Sequence, residues 1–491
     1  MADDTPRNAP RDPARLLLVV ADGVRPDVLA EEIDGGRTPA LARLRAAGGL
    51  HTVTSVFPSV TGPGYVPFLM GRHPTHVGLP GLRWFDRARR IRLAMGQSRS
   101  YAGIDIWHVD HDLHAEAPTL LELATPSLSA MSMVARGATH GRIGRSLLWM
   151  LRAFPSHFRG DLEGWRRVER AATAAFFRRF ARVKPRSAVL AIGSPDKFAH
   201  REGAHSDAVR TAIRDIDAAI ATAWSIAERG GWRDSLHIWV VGDHGHAAVD
   251  RHDDLHGALE AEGISVHAHP RVMGVPFRTR RHDVALMVGG NAMAHVYLHP
   301  EERTRRWWPS HAGRWNTMAE RLVEREAVDL LAVAHDEGTV EVRHATRGTA
   351  HIRSVRAGTE TRWSYLPADG DPLQLGGGHD GLDATAAWEL TAASPYPDAL
   401  VQLGSLVPDP RGGDVVLSAS AGWDLRARFE PVTHVSTHGA LLREQMEVPL
   451  LVDVPTMRLP QRTTDVVPSA LDLLDIETTA PFDGRSFLRR A

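Results

Sequence analysis

Apolar and polar positions along this chain change period several times, and each change marks an element. Residues 16–21 (LLLVVA) form an unbroken apolar run closed by Asp22-Gly23. A run of that length ending in a turn dipeptide predicts a strand buried on both faces of a parallel sheet. A helix is expected over 39–48, because Thr38 precedes Pro39 and the pattern stops at Gly48, with proline at the start and glycine at the end as helices prefer. The unit recurs. Residues 187–192 lead to a helical pattern over 206–229, and 236–241 run into a loop. Strands apolar on both faces, alternating with helices, predict an α/β fold with a mostly parallel sheet and helices on both faces. Such sheets gather ligands at the carboxyl ends of their strands. Asp22, Asp196 and Asp243 all lie just past such an end.

Two stretches interrupt the alternation. Residues 141–186 carry twelve Lys or Arg against three acidic residues, and Leu162, Trp165, Val168, Ala172, Phe176 and Phe180 fall on one helical face. This segment reads either as a helical pair with a solvated Arg face or as a cationic, aromatic cover over an anionic or lipid-like substrate. The second reading implies peripheral contact with lipid. From about 270 to 375 the pattern becomes short alternating strands with Gly-containing turns, expected to form an inserted α+β cap. A strand is expected again over 448–452, and Thr463-Thr464-Asp465 caps a last helix reaching about Leu474. The chain thus divides into a flexible N-terminus (1–14), three core segments (15–140, 187–269 and 376–491), the helical insertion (141–186) and the cap (270–375).

Composition narrows the chemistry. The 491 residues include 58 Lys or Arg and 59 Asp or Glu, so no overall field recruits a nucleic-acid polymer. Cysteine is absent, which excludes disulfides, thiolate metal ligands and a Cys nucleophile. The run at 16–21 is too short for a signal-peptide core or a membrane span, and the N-terminus ahead of it is polar. A cytoplasmic location is the expectation from these features.

Without thiolates, divalent zinc or manganese is bound by His nitrogen and carboxylate oxygen. Asp196 and His200 are four apart, so a helical turn or compact loop can aim both at one ion, and His438 would complete three ligands. Asp243 and His244 are adjacent at a strand end, and Asp22 would add a third ligand for a second ion. Each has a plainer reading alone: Asp before Gly is a common turn residue. Thr61, in FPSVTGPGY, reads as an N-cap for a helix over 65–70 or as a metal-activated nucleophile. Gly62, Pro63 and Gly64 leave room there for substrate oxygens.

The ordered set Asp22, FPSVT ending at Thr61, GRHPTHVG over 71–78, Asp196-x-x-x-His200, Asp243-His244-Gly245 and His438-Gly439 resembles the alkaline phosphatase superfamily. Its nearest branch is the nucleotide pyrophosphatase/phosphodiesterase group. The resemblance implies two metals, one on Asp196, His200 and His438 and one on Asp22, Asp243 and His244. It also implies Thr61 as nucleophile of a small phosphoester substrate through a phospho-threonine. Gly64 stands where the resemblance leads one to expect a side-chain amide, which leaves phosphoryl oxygens to backbone N–H groups, to Lys197 or to an Arg of the insertion. His379, in GGGHDG, competes with His438 for the last ligand position. A phosphomonoesterase, a phosphonate hydrolase or a non-catalytic metal-binding relative are the alternatives. A sulfatase is disfavoured, because Thr61 is followed by Gly-Pro-Gly-Tyr.

Overall fold

The computed structural model describes residues 12–88, 97–268, 282–358, 360–426 and 432–489. Most of the expected N-terminal tail (1–11) and the start of the expected cap (270–281) lie outside the described residues.

Seven strands form the central sheet, in the order Leu50–Thr54, Glu447–Leu451, Leu236–Val241, Arg15–Ala21, Ser187–Ile192, Ser127–Ala130, Arg142–Ile143. Only Glu447–Leu451 runs against its neighbours; the other pairings are parallel. The alternation of side chains along the first strand explains its unbroken apolar run. Leu16, Leu18 and Val20 enter one core with Phe68, Trp239 and Val467. Leu17, Val19 and Ala21 enter the opposite core with Ile213, Ile216 and Ile220 of the helix Asp207–Arg229. Each face is covered, so neither set of alternate residues is polar.

The three central strands end in register: Ala21 pairs with Ile192, and Val20 with Val241. The side chains that follow them therefore share one edge. Leu50–Thr54 ends at that same edge, and the antiparallel Glu447–Leu451 begins there, so the Thr61 loop and the His438 turn also reach it. Between Ser187–Ile192 and Asp207–Arg229 lies a helix absent from the sequence reading, Ser194–Glu202. Pro195 sits in its first turn and Gly203 ends it. Its nine residues are too few for an amphipathic pattern to stand out.

A second sheet of nine strands follows the order Val266–Ala268, Val284–Gly289, Met293–Leu298, Val415–Ala419, Val328–Ala334, Thr339–His344, Gly348–Ala357, Glu360–Pro367, His379–Leu382. Val415–Ala419, buried along its whole length, sits in the middle of this sheet. The sheet thus draws on chain beyond 375 as well as on the expected cap segment. The helix Arg314–Val323 covers one face through Trp315, Met318, Ala319 and Leu322. The helix Ala399–Leu406 covers the other. Among the described residues no helix is long and apolar enough to cross a membrane.

The insertion is two helices, Leu147–Arg159 and Leu162–Val183. The second starts at Asp161, whose Oδ1 accepts from the Gly164 amide at 2.8 Å. Its Ala172, Phe176 and Phe180 join the core beneath the sheet. One turn earlier, Glu169 is buried against the start of Ser194–Glu202. It accepts hydrogen bonds from the Gly193 and Ser194 amides at 2.6 and 3.1 Å and from the Ser194 hydroxyl. The carboxylate therefore ties the insertion to the helix that carries Asp196 and His200.

Burial pushes the Glu169 carboxyl up to about 7, against the opposing pull of its three donors. A carboxyl whose folded-state pKa is raised contributes fully below its unfolded value and loses that contribution as pH rises through the folded one. Thermal stability attributable to this group should therefore fall between about pH 4.5 and 7. The shift corresponds to about 3 kcal/mol. Glu169→Gln should flatten the decline in melting temperature across that window, measured by calorimetry at closely spaced pH values. An unchanged slope would show that Glu169 is not the titrating group.

Candidate active site and metal centre

At the strand edge two groups of ligand atoms lie side by side, Asp22–Asp243–His244 and Asp196–His200–His246–His438, with the donors of each group within 4.8 Å of one another. In the first group His244 Nε2 stands 3.6 Å from Asp22 Oδ1 and 3.5 Å from Asp243 Oδ2. Those two oxygens are buried and accept no hydrogen bond. In the second, Asp196 Oδ1 lies 3.2 Å from His200 Nε2, 3.1 Å from His246 Nε2 and 3.4 Å from His438 Nε2. The rings of His244 and His438 stack at 3.6 Å, so the groups adjoin.

The histidines are held by their other ring nitrogen. Nδ1–H of His200 donates to the Ser436 carbonyl at 2.9 Å, that of His438 to the Ser59 carbonyl at 3.0 Å, and that of His244 to the Gly245 carbonyl at 3.1 Å. This tautomer turns each Nε2 lone pair into the site, as metal-ligating imidazoles require. His246 is set the same way: the Ser436 hydroxyl donates to the Ala247 carbonyl at 3.0 Å, leaving its oxygen to accept from His246 Nδ1 at 3.1 Å.

Burial governs the protonation states. It lowers the pKa of His244 to about 4 and of His246 to about 3, and holds His438 well below the usual imidazole range. It raises the Asp243 carboxyl to about 8 and Asp22 well above the carboxylate range, each reinforced by the other nearby carboxylates. Asp196 is buried too, yet His200, His246 and Lys197 outweigh that and hold it well below. Neutral imidazoles with inward lone pairs and carboxylate oxygens without donors form a set that a divalent cation satisfies, and that the protein alone leaves at a cost.

Tight backbone approach makes the cluster possible. Gly23 adopts φ +69°, and a Cβ there would lie 2.9 Å from the Asp196 backbone. Its amide donates to Asp243 Oδ1 at 3.1 Å. Thr61 Oγ1 lies 3.1 Å from His244 Nε2, beside the first group. The helix after it, Tyr65–Met70, begins from Gly64, so Thr61 is not its N-cap. Tyr65 donates its hydroxyl to Asp22 Oδ2 at 3.1 Å.

The family model for type I phosphodiesterase/nucleotide pyrophosphatase matches residues 16–441. The chain belongs to this family. It is a hydrolase of phosphoester bonds, in a metal-dependent family of the alkaline phosphatase superfamily. No curated protein matches its sequence. Among solved structures, human ectonucleotide pyrophosphatase/phosphodiesterase 5 is similar at 15% identity and TM-score 0.57, covering 96% of this chain and 97% of that one. An inactive form of the murine protein in complex with AMP gives 15% and 0.55 over the same shares. Phosphonoacetate hydrolase from Sinorhizobium meliloti 1021, in complex with phosphonoacetate, gives 16% and 0.56, covering 95% of this chain and 96% of that one.

For this member of the phosphodiesterase family, all six residues expected as ligands meet at one edge with Thr61. The structure adds four further features. His246 joins the Asp196 group, although its position two after His244 in Asp-His-Gly-His was a signal in plain view. Asn291, in the turn between Val284–Gly289 and Met293–Leu298, lines the same cavity with its amide 3.0 Å from His434 Nδ1. A side-chain amide thus reaches the site from the second sheet. Tyr65 and His434 complete the four. Lys197 lines the cavity, 3.6 Å from Asp196 Oδ2.

Two expectations change. Gly64 does not face substrate: its amide donates to the Val60 carbonyl at 2.9 Å, and a Cβ would lie 2.7 Å from the Asp243 carbonyl oxygen. Its role is to let the helix pack against the Asp243 turn. His379 lies on the outermost strand of the second sheet, bonded to the Leu375 carbonyl at 3.2 Å, so it does not compete with His438. Gly64→Ala should displace the Asp243 turn, destabilise the fold by roughly 1–3 kcal/mol and weaken divalent-metal binding. Equilibrium dialysis against Zn2+ and a thermal melt check this; wild-type values in both would show that the turn tolerates a methyl group.

Proposed function

We propose that this hydrolase cleaves phosphodiesters at a two-metal site, with Thr61 as nucleophile. The observation that carries the reading is Thr61 Oγ1 at 3.1 Å from His244 Nε2, in a donor set where Asp22 Oδ1 and Asp243 Oδ2 accept no hydrogen bond. Asp22, Asp243 and His244 would hold one divalent cation. Asp196, His200 and His438, with His246, would hold the other. Zinc suits this nitrogen and oxygen set, and manganese is the alternative. Bound there, the cations lower the pKa of the threonine hydroxyl and neutralise charge developing on the phosphoryl oxygens.

Thr61 gives up its hydroxyl proton to solvent and attacks phosphorus, its Oγ–P bond forming as the bond to the departing alkoxide breaks, and the alkoxide takes a proton from solvent. Water then attacks the phospho-threonine, which still carries the remaining ester group. The Thr61 oxygen leaves and regains a proton, and a phosphomonoester is released. Lys197 and Asn291, both lining the cavity, are the side chains suited to the phosphoryl oxygens. Tyr65 fixes the orientation of Asp22.

Paired aryl phosphomonoesters and phosphodiesters, assayed with zinc-loaded protein, test the reading. Diester turnover should exceed monoester turnover, and acid quench of the diester reaction should trap the monoesterified phosphoryl group on Thr61, seen by peptide mass spectrometry. Thr61→Ala should retain its metal and lose at least about 10³-fold in kcat. Full activity in that variant would remove Thr61 from the mechanism.

A further inference from the structure

The cavity that opens on Thr61 has a volume of about 470 Å³ and runs beneath the helical insertion. Near the metal groups its wall is polar. Met131, Met133, Trp149, Met150, Ala153 and Val168 supply apolar wall, with Ser156 and Asp161 of the insertion beside them. Two of the arginines that line the cavity, Arg83 and Arg145, are engaged with the protein. Arg83 donates to the Val288 carbonyl at 3.0 Å, and Arg145 to the carbonyls of Ile106 and Met133. A nucleoside would need donors and acceptors for base and ribose. This wall offers thioether, indole and aliphatic surface, which adapts to an apolar chain.

The first insertion helix has a second apolar face. Trp149, Met150 and Ala153 turn to the cavity, while Leu147, Leu148 and Leu151 are 60%, 58% and 63% exposed. Trp107, 36% exposed, joins them through its hydrogen bond to the Arg145 carbonyl. The outer face of a surface helix is ordinarily polar. Here three leucines and a tryptophan lie among exposed Arg142, Arg152 and Arg159, in a segment with twelve basic and three acidic residues. An apolar stripe flanked by arginine matches the depth profile of an anionic bilayer surface.

We infer that the insertion docks on an anionic lipid bilayer and that the cavity receives the alkyl or acyl chain of an amphipathic phosphodiester, placing its phosphate at Thr61. The inference rests on the phosphodiesterase reading above. Glu169 joins the helix after this docking surface to the start of the helix bearing Asp196 and His200, so surface and metal groups are mechanically continuous.

The test uses the zinc-loaded full chain and a series of alkyl p-nitrophenyl phosphates from methyl to dodecyl, which share one leaving group. kcat/KM should rise with chain length, approaching about fourfold for each fully buried methylene, and the dodecyl ester should exceed thymidine p-nitrophenyl phosphate. Ala153→Trp should lower the dodecyl-to-methyl ratio at least tenfold. Separately, the protein should sediment with vesicles of phosphatidylcholine containing phosphatidylglycerol. Replacing Leu147, Leu148 and Leu151 together by Ser should abolish sedimentation while the melting temperature shows the variant folded. A flat chain-length profile, or a preference for the thymidine ester, would overturn the apolar subsite. Absence of vesicle binding by the wild-type protein, or undiminished binding by the folded triple variant, would overturn the docking surface. No hydrolysis of any ester in the series counts instead against the phosphodiesterase reading.

Discussion

Three carboxyls, crowded where the strands of a parallel sheet end, are the constraint around which this protein is arranged. Asp22, Asp196 and Asp243 come off adjacent strands in register and converge in a buried edge. Left alone, carboxylates at such proximity repel each other and lack solvent. The imidazoles of His244, His246 and His438 are held neutral by burial and bring no positive charge to the carboxyls. A divalent cation would compensate these carboxyls, and the backbone carbonyls that anchor Nδ1 of His200, His244 and His438 orient their Nε2 atoms toward it.

The rest of the fold serves that edge from several directions. The antiparallel strand brings His438 in from the opposite sense to the others. The second sheet contributes Asn291, and its Val415–Ala419 strand ties the late chain back beneath the cap. Gly23 and Gly64 are spacers that let two turns and a helix approach within van der Waals contact. The insertion reaches the same edge through Glu169, and its first helix divides its apolar residues between the cavity and solvent. The Glu169 carboxyl thus joins the insertion to the helix that carries Asp196 and His200.

Much of this was legible in the chain. Apolar runs at 16–21, 187–192 and 236–241 announced buried parallel strands, because strands covered on both faces admit no polar alternation. The expected ligands Asp22, Asp196, His200, Asp243 and His244 stood out because they follow such runs, while His438 lies in a turn. The short helix Ser194–Glu202 escaped notice because nine residues carrying Asp, His and Lys show little periodicity. Glu169 looked like one charge among many on a basic helix; only its packing against Gly193 and Ser194 separates it from a solvated residue. Gly64 looked like space for a substrate and is instead space for the Asp243 backbone.

The sequence alone determined the class of fold, the six expected ligands and Thr61, since these depend on local periodicity and on residue type at strand ends. Tertiary structure decided what depends on distances between segments far apart in the chain. It added His246 and Asn291 to the site, separated His438 from His379, and turned the insertion toward the cavity. The physical reason is that burial, tautomer and orientation are set by neighbours across the fold, and a linear pattern records a residue's kind without recording which distant groups will surround it.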